Sequence, residues 1–313
     1  MIAQRRYHVL FCHLVATIVV AFLPSKGVHG TSLARVRGGA SYYEANPNYS
    51  APPTLGDLDE QGAYRAAYPS STLHYSYHQR PRPFTQVLRN YFDSLHQFSP
   101  TLFYGTSTSL FFFILWQFQS TSHSVAKILH NHFVCSQYNV VEKKRLHAAL
   151  FSAFSHASLQ HLAVNLYAYS TFGRSVKQTL AIQGVDDLWP FVVSAALFAS
   201  LTFLLIDSGR GGSCMGLSGV TLALLAFDSL VYPSKELRMI VSFIPIQLPA
   251  YYLFLGLVGV SVAGSMGLIG GNVAHSTHLG GLVYGKLYYE ALKRGWVRRA
   301  HLKCRKVYYA IRN

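Results

Sequence analysis

Between residues 101 and 292, apolar runs of about bilayer-spanning length follow one another with short polar breaks. Roughly 17–25 mostly apolar residues suffice for a helix to cross the hydrocarbon core of a membrane. Candidate spans are 101–118, 147–173 (its first part alternatively interfacial), 188–206, 214–232, 250–270 and 272–292. A soluble enzyme with buried helices would not repeat such runs across loops this short. Composition agrees: 50% of the residues are hydrophobic and only 12% charged, about half the charge of an ordinary soluble domain. The expected fold class is therefore all-α integral membrane, a bundle of six transmembrane helices.

The rest of the chain is divided by composition. Residues 9–23 (VLFCHLVATIVVAFL) follow Arg5 and Arg6 and precede PSKGVHG. This is the anatomy of a secretory signal peptide, and it also fits a short extra membrane anchor. The stretch TSLARVRGGAS that follows has arginines and serines and no acid before Glu44, as organellar transit segments do. Segment 1–43 is thus expected to be a targeting or signal-anchor region. Segment 44–100, whose first part is rich in Pro, Ser and Tyr, is expected to be a low-order linker. The six-helix domain would occupy 101–293 and a basic tail 294–313.

The formal net charge of +15 raises the question of nucleic acid, but its placement answers otherwise. Much of it lies in ALKRGWVRRAHLKCRKVYYAIRN, directly after the last apolar run. Basic residues there suit anionic lipid headgroups and the positive-inside rule, and no nucleic-acid-binding signature accompanies them. Arg80, Arg82, Arg89, Arg174, Lys177, Lys235, Arg238 and the tail all fall on one side of a six-span arrangement. The lipid bilayer is the expected partner, and nucleic acid is not. The cysteines, Cys12, Cys135, Cys214 and Cys304, form no CxxC pair and no metal-ligand spacing. Cys135 and Cys214 fall on the same side, which leaves a disulfide between them open.

Polar side chains inside spanning segments are costly, so each is a functional hypothesis. His161, Asn165, Ser218 and His278 stand out. The second, fourth and sixth spans all enter from the outer side, and His278 lies roughly 9 Å down its helix at 1.5 Å per residue. These side chains can therefore meet at one depth. Ala274, His278, Gly281 and Gly285 share a face of the sixth span. Gly219, Ala223 and Ala226 form a small stripe beside Ser218 on the fourth. Small residues let helix backbones approach closely. Gly216, Gly219, Gly281 and Gly285 are accordingly expected to pack these helices together and bring imidazole to hydroxyl.

A serine becomes a competent nucleophile when a neighbouring base accepts its proton, and histidine suits that task near neutral pH. No carboxylate qualifies as a third member. Asp228 and Glu290 lie toward the inner ends of their spans, and nothing in the sequence ties the outer Asp207 to His278. A Ser218–His278 dyad is expected, with His161, Asn165 and the Ser218 N–H stabilising an oxyanion. A metal site built from His156, His161, His275 and His278 would lack a carboxylate ligand and leave Ser218 unexplained. No metal or cofactor is expected.

These residues resemble the rhomboid family of intramembrane serine proteases. GLSG (216–219) is similar to its nucleophile motif, and HSTHLGGLVYG (275–285) to its histidine–glycine motif. HASLQHLAVN (156–165) is similar to its second-helix motif. The resemblance covers roughly 100–295 and implies a rhomboid-like six-helix bundle that cleaves transmembrane segments of membrane-protein substrates near the membrane surface. It also implies that the fifth helix and the loop GSMGLIGGN (264–272) gate access. His275 would then be supporting, not catalytic. Within the family, 232–250 and the basic tail look most like the mitochondrial, presenilin-associated rhomboid-like branch. The expected location is the mitochondrial inner membrane, with a secretory-pathway or plastid-related membrane as the alternative. The rival function is a non-catalytic rhomboid-like binder of transmembrane helices in trafficking or quality control.

Overall fold

The computed structural model describes residues 83–207, 211–241, 244–269 and 273–312. The 1–43 targeting segment, with its 9–23 apolar run, and residues 44–82 of the linker lie outside the described residues.

Serines start several of the helices. Ser99, Ser122 and Ser158 each accept a backbone N–H from three residues on, the N-cap geometry that satisfies an orphan donor. They open α2 (Pro100–Gln117), α3 (His123–His132) and α5 (Leu159–Ile182). Upstream, α1 (Phe84–Phe98) corrects the expectation of a low-order linker through residue 100. Phe84, Val87, Leu88 and Tyr91 recur at helical spacing on its exposed side, and Leu95 is buried. That apolar stripe gives the segment a reason to be helical which its Pro-rich neighbours lack.

The expected 147–173 span is broken. α4 (His147–Phe151) and a 3₁₀ turn (Ser152–Phe154) end at extended residue Ser155, and α5 begins only at Leu159. After α6 (Trp189–Ile206) the chain forms a short strand and then α7 (Ser218–Val231). A hairpin of β3 (Glu236–Val241) and β4 (Ile244–Pro249) leads to α8 (Ala250–Ser265). α9 (His275–Lys293) and α10 (Trp296–Arg312) complete the chain, and α10 makes a helix of the expected basic tail. The short strands after α3 and α6, β1 (Cys135–Ser136) and β2 (Ser213–Cys214), pair antiparallel.

α7 is the central helix and packs against α5, α6, α8 and α9. Its Val220, Ala223, Leu224, Ala226 and Phe227 have no solvent exposure. α6 shows what surrounds the bundle. Ala195, Ala196, Ala199 and Phe203 face the core, whereas Leu197, Leu201 and Leu205, one turn apart, are exposed. A leucine stripe facing outward is unfavourable in water and favourable against lipid. α6 is the one helix among the described residues that is long and apolar enough to pass as a membrane span by itself; α7 and α8 are apolar but shorter.

The two ends of the bundle differ. At the C-terminal end of α7, Asp228 accepts from Lys235 Nζ at 2.7 Å and from the Ser175 hydroxyl. Thr179 Oγ1 and Tyr232 Oη meet at 3.0 Å beside them. The N-terminal end of α7 carries the candidate site.

Candidate active site

Ser218 is the first residue of α7, and the backbone ahead of it is not helical. Gly216 has φ +122°, a region that L side chains rarely adopt. Its N–H donates to Ser152 O at 2.8 Å. A Cβ there would lie 2.4 Å from the His161 ring, so Gly216 also supplies the space in which that ring sits. Gly216 therefore belongs to the turn and not, as its grouping with the packing glycines implied, to the helix crossing. The next amide, Leu217 N–H, donates to His156 Nε2 at 3.2 Å. His156 is buried, and its Nδ1 faces Phe154 O at 3.3 Å. This pairing calls for the neutral imidazole with its proton on Nδ1. The turn before Ser218 is thus held by the broken segment before α5.

The crossing of α7 with α9 is made of glycine. A Cβ on Gly281 would lie 2.1 Å from Gly219 O, and one on Gly285 2.3 Å from Ala223 O. A Cβ on Gly219 would meet Ala199 Cβ of α6 at 2.7 Å and Thr277 Cγ2 of α9 at 3.2 Å. The backbones are in contact, and no side chain larger than hydrogen fits between them. One turn above Gly281 on the same helix, His278 reaches across, and its Nε2 lies 2.9 Å from Ser218 Oγ.

The remaining sequence-selected residues lie around this pair. Thr221, one turn along α7 from Ser218, donates from Oγ1 to Asn165 Oδ1 at 3.3 Å. Asn165 Nδ2 donates to His161 O at 2.9 Å within its own helix. The His161 and His156 rings meet edge to face at 4.9 Å. His275 packs against Gly264 at the end of α8, where a Cβ would lie 2.1 Å from its ring. Its ring centroid lies 6.3 Å from that of His278. Among the described residues, no group of three or more His, Cys, Asp or Glu is placed to hold a metal ion.

Sequence reasoning missed two contributors. His156 stands at the head of the quoted HASLQHLAVN motif but was considered only as a metal ligand; its role depends on a backbone amide 61 residues away. Asp207, set aside as unconnected, accepts from the Ser276 hydroxyl in the first turn of α9, two residues before His278. A carboxylate at a helix N-terminus is electrostatically favourable there and fixes where the helix starts. No hydrogen bond from a carboxylate to His278 is present among the described residues; its ring meets Ser218 Oγ.

Residues 143–294 match the family model for the Rhomboid domain. Related chains extend the likeness. The mitochondrial presenilin-associated rhomboid-like protein of Bos taurus is 24% identical over 214 residues, covering 67% of this chain and 53% of the relative. Rhomboid protein 1, mitochondrial, of Saccharomyces cerevisiae is 28% identical over 182 residues, covering 56% and 48%. Over just under half of its length, the chain is similar to the Rhomboid domain. RHOMBOID-like protein 12, mitochondrial, of Arabidopsis thaliana is 25% identical over 204 residues, covering 59% and 56%. All three relatives are mitochondrial by name, which supports the mitochondrial branch and a mitochondrial membrane location. It spans about half the length of the curated relatives it matches. The rhomboid domain contains all of the residues just described, from Ser152 to Gly285.

Proposed function

We propose that this chain is an intramembrane serine endopeptidase that cleaves transmembrane segments of membrane proteins with a Ser218–His278 dyad. The observation that carries the reading is the 2.9 Å contact between Ser218 Oγ and His278 Nε2 across a crossing that admits no Cβ. In this mechanism His278 takes the Ser218 proton as Oγ attacks the scissile carbonyl, then delivers it to the leaving amine. The resulting acyl-enzyme is released by water, with His278 again the base. Ser218 N–H, in the first turn of α7, has no intrahelical acceptor and can donate to the oxyanion. Asn165 Nδ2, turned from the His161 carbonyl, and the His161 ring supply the other donors.

Helix length supports a recessed site. α7 has 14 residues, about 21 Å at 1.5 Å per residue, against a hydrocarbon core of about 30 Å. With α7 at the centre of six crossing helices (α2 and α5–α9), Ser218 lies below the outer surface. Non-helical backbone at membrane depth is tolerated only where its polar groups are satisfied. The Gly216 and Leu217 amides meet that condition through Ser152 and His156. The proposed location is the mitochondrial inner membrane; the relatives' names support mitochondrial.

The test is a membrane-tethered reporter substrate co-expressed with wild type or Ser218→Ala. Cleavage by wild type and none by the variant supports the protease. Equal processing of the reporter by both would sink it and favour a non-catalytic binder of transmembrane helices.

A further inference from the structure

Cys135 and Cys214 are register partners on β1 and β2, and both are free, buried thiols. Cα atoms directly opposite on antiparallel strands are about 4.5–5.5 Å apart, inside the roughly 4.4–6.8 Å that disulfides span. The two thiols are in side-chain contact, each within hydrogen-bonding reach of the other. Around them pack Ala148 and Ala149 of α4, Phe203 and Leu204 of α6, and Ala274 at the start of α9. β2 leads in four residues from Cys214 to Ser218.

We propose that Cys135 and Cys214 are a redox-sensitive dithiol that closes to an intramolecular disulfide in the folded protein and fastens the segment leading to Ser218. A small-molecule disulfide such as glutathione disulfide is the oxidant. The Cys135 thiolate attacks one of its sulfurs and expels a glutathione thiolate, giving a mixed disulfide. The Cys214 thiolate attacks Cys135 Sγ and expels the second. The Cys–Cys bond forms, the glutathione S–S bond breaks, and the two cysteine protons end on two glutathione thiols. Either cysteine can take the first step, and the balance is the same with the roles exchanged. The closed loop is long, so the cross-link removes much of the unfolded chain's freedom. The inference does not depend on the chain being a protease.

The experiment uses the full chain in detergent with Cys12→Ser and Cys304→Ser, so that only the pair remains. The folded protein is incubated with glutathione disulfide, then unfolded and alkylated. We expect both thiols to be protected, a peptide joining Cys135 to Cys214, and a thermal midpoint higher by about 5 °C or more. A reductant reverses all three. Thiols that stay fully alkylatable, cross-links between molecules instead of within them, or an unchanged midpoint would each overturn the proposal. None of these outcomes bears on whether Ser218 cleaves a substrate.

Discussion

The two ends of α7 solve the same problem, polar side chains in an apolar bundle, in opposite ways. At the C-terminal end the solution is charge. Asp228 has no side-chain exposure, and its carboxylate holds Lys235, itself 12% exposed, together with Ser175 from α5. Lys235 also lies over the Phe172 ring at 5.8 Å. Nearby, Arg305 of α10 reaches Asp186 between α5 and α6 at 3.5 Å. This end is a clasp. At the N-terminal end the groups around Ser218 are an asparagine and four histidines, arranged on glycine crossings and a turn held by backbone amides, with the Asp207 carboxylate set apart on Ser276. An ion pair at the first end fixes the helices; at the second the imidazole–hydroxyl contact carries no ion pair and is open to a new partner. The account predicts that damage at one end is read in stability and damage at the other in chemistry.

His278→Ala separates them most sharply. Reporter cleavage should fall by about 10⁴-fold or more, because a nucleophile without its base retains little activity, while the thermal midpoint in detergent shifts little. Asp228→Ala is the counterpart. It removes the carboxylate facing a mostly buried lysine, a loss of up to about 3–5 kcal/mol. The midpoint should drop, and the protein that stays folded at low temperature should keep most of its turnover. If Asp228→Ala instead abolished turnover in folded protein, the two ends would not be separable. Gly281→Val joins them. Its Cβ would lie 2.1 Å from Gly219 O, so the helices must part at a cost of about 3 kcal/mol or more, with activity lost as well. A stable, active Gly281→Val protein would contradict the packing account. Asn165→Ala has the smallest expected effect, a partial loss of about 100-fold or less in kcat with KM little changed, since one oxyanion donor is removed while others remain.

Much of this arrangement was legible in the sequence because it is periodic. Small residues at three- and four-residue spacing beside Ser218 and His278 mark faces that can touch, and the family match over 143–294 agrees with the three motifs read together. What was not legible is what depends on contacts across the chain. The run 147–173 carries a polar cluster, SHASLQH (155–161), but those letters do not say what the break at Ser155 is for; it aims Ser152 O and His156 at residues 216 and 217. Gly216 has the same letter as Gly219, yet it is needed for its backbone angle and for the His161 ring, not for a helix crossing. The Asp207–Ser276 bond joins residues 69 apart. The β3–β4 hairpin was hidden too, because the run it occupies contains Pro245 and Pro249, which read against strand.

The central claim is that one imidazole makes one hydroxyl reactive, and it can be measured without knowing the substrate. Membranes carrying wild type or His278→Ala are treated with a fluorophosphonate, and Ser218 is followed by peptide mass spectrometry. The account predicts a covalent adduct on Ser218 in wild type and about 10³-fold slower labelling in the variant. A Ser218 that stays unlabelled in wild type, or reacts equally fast in both, would contradict it.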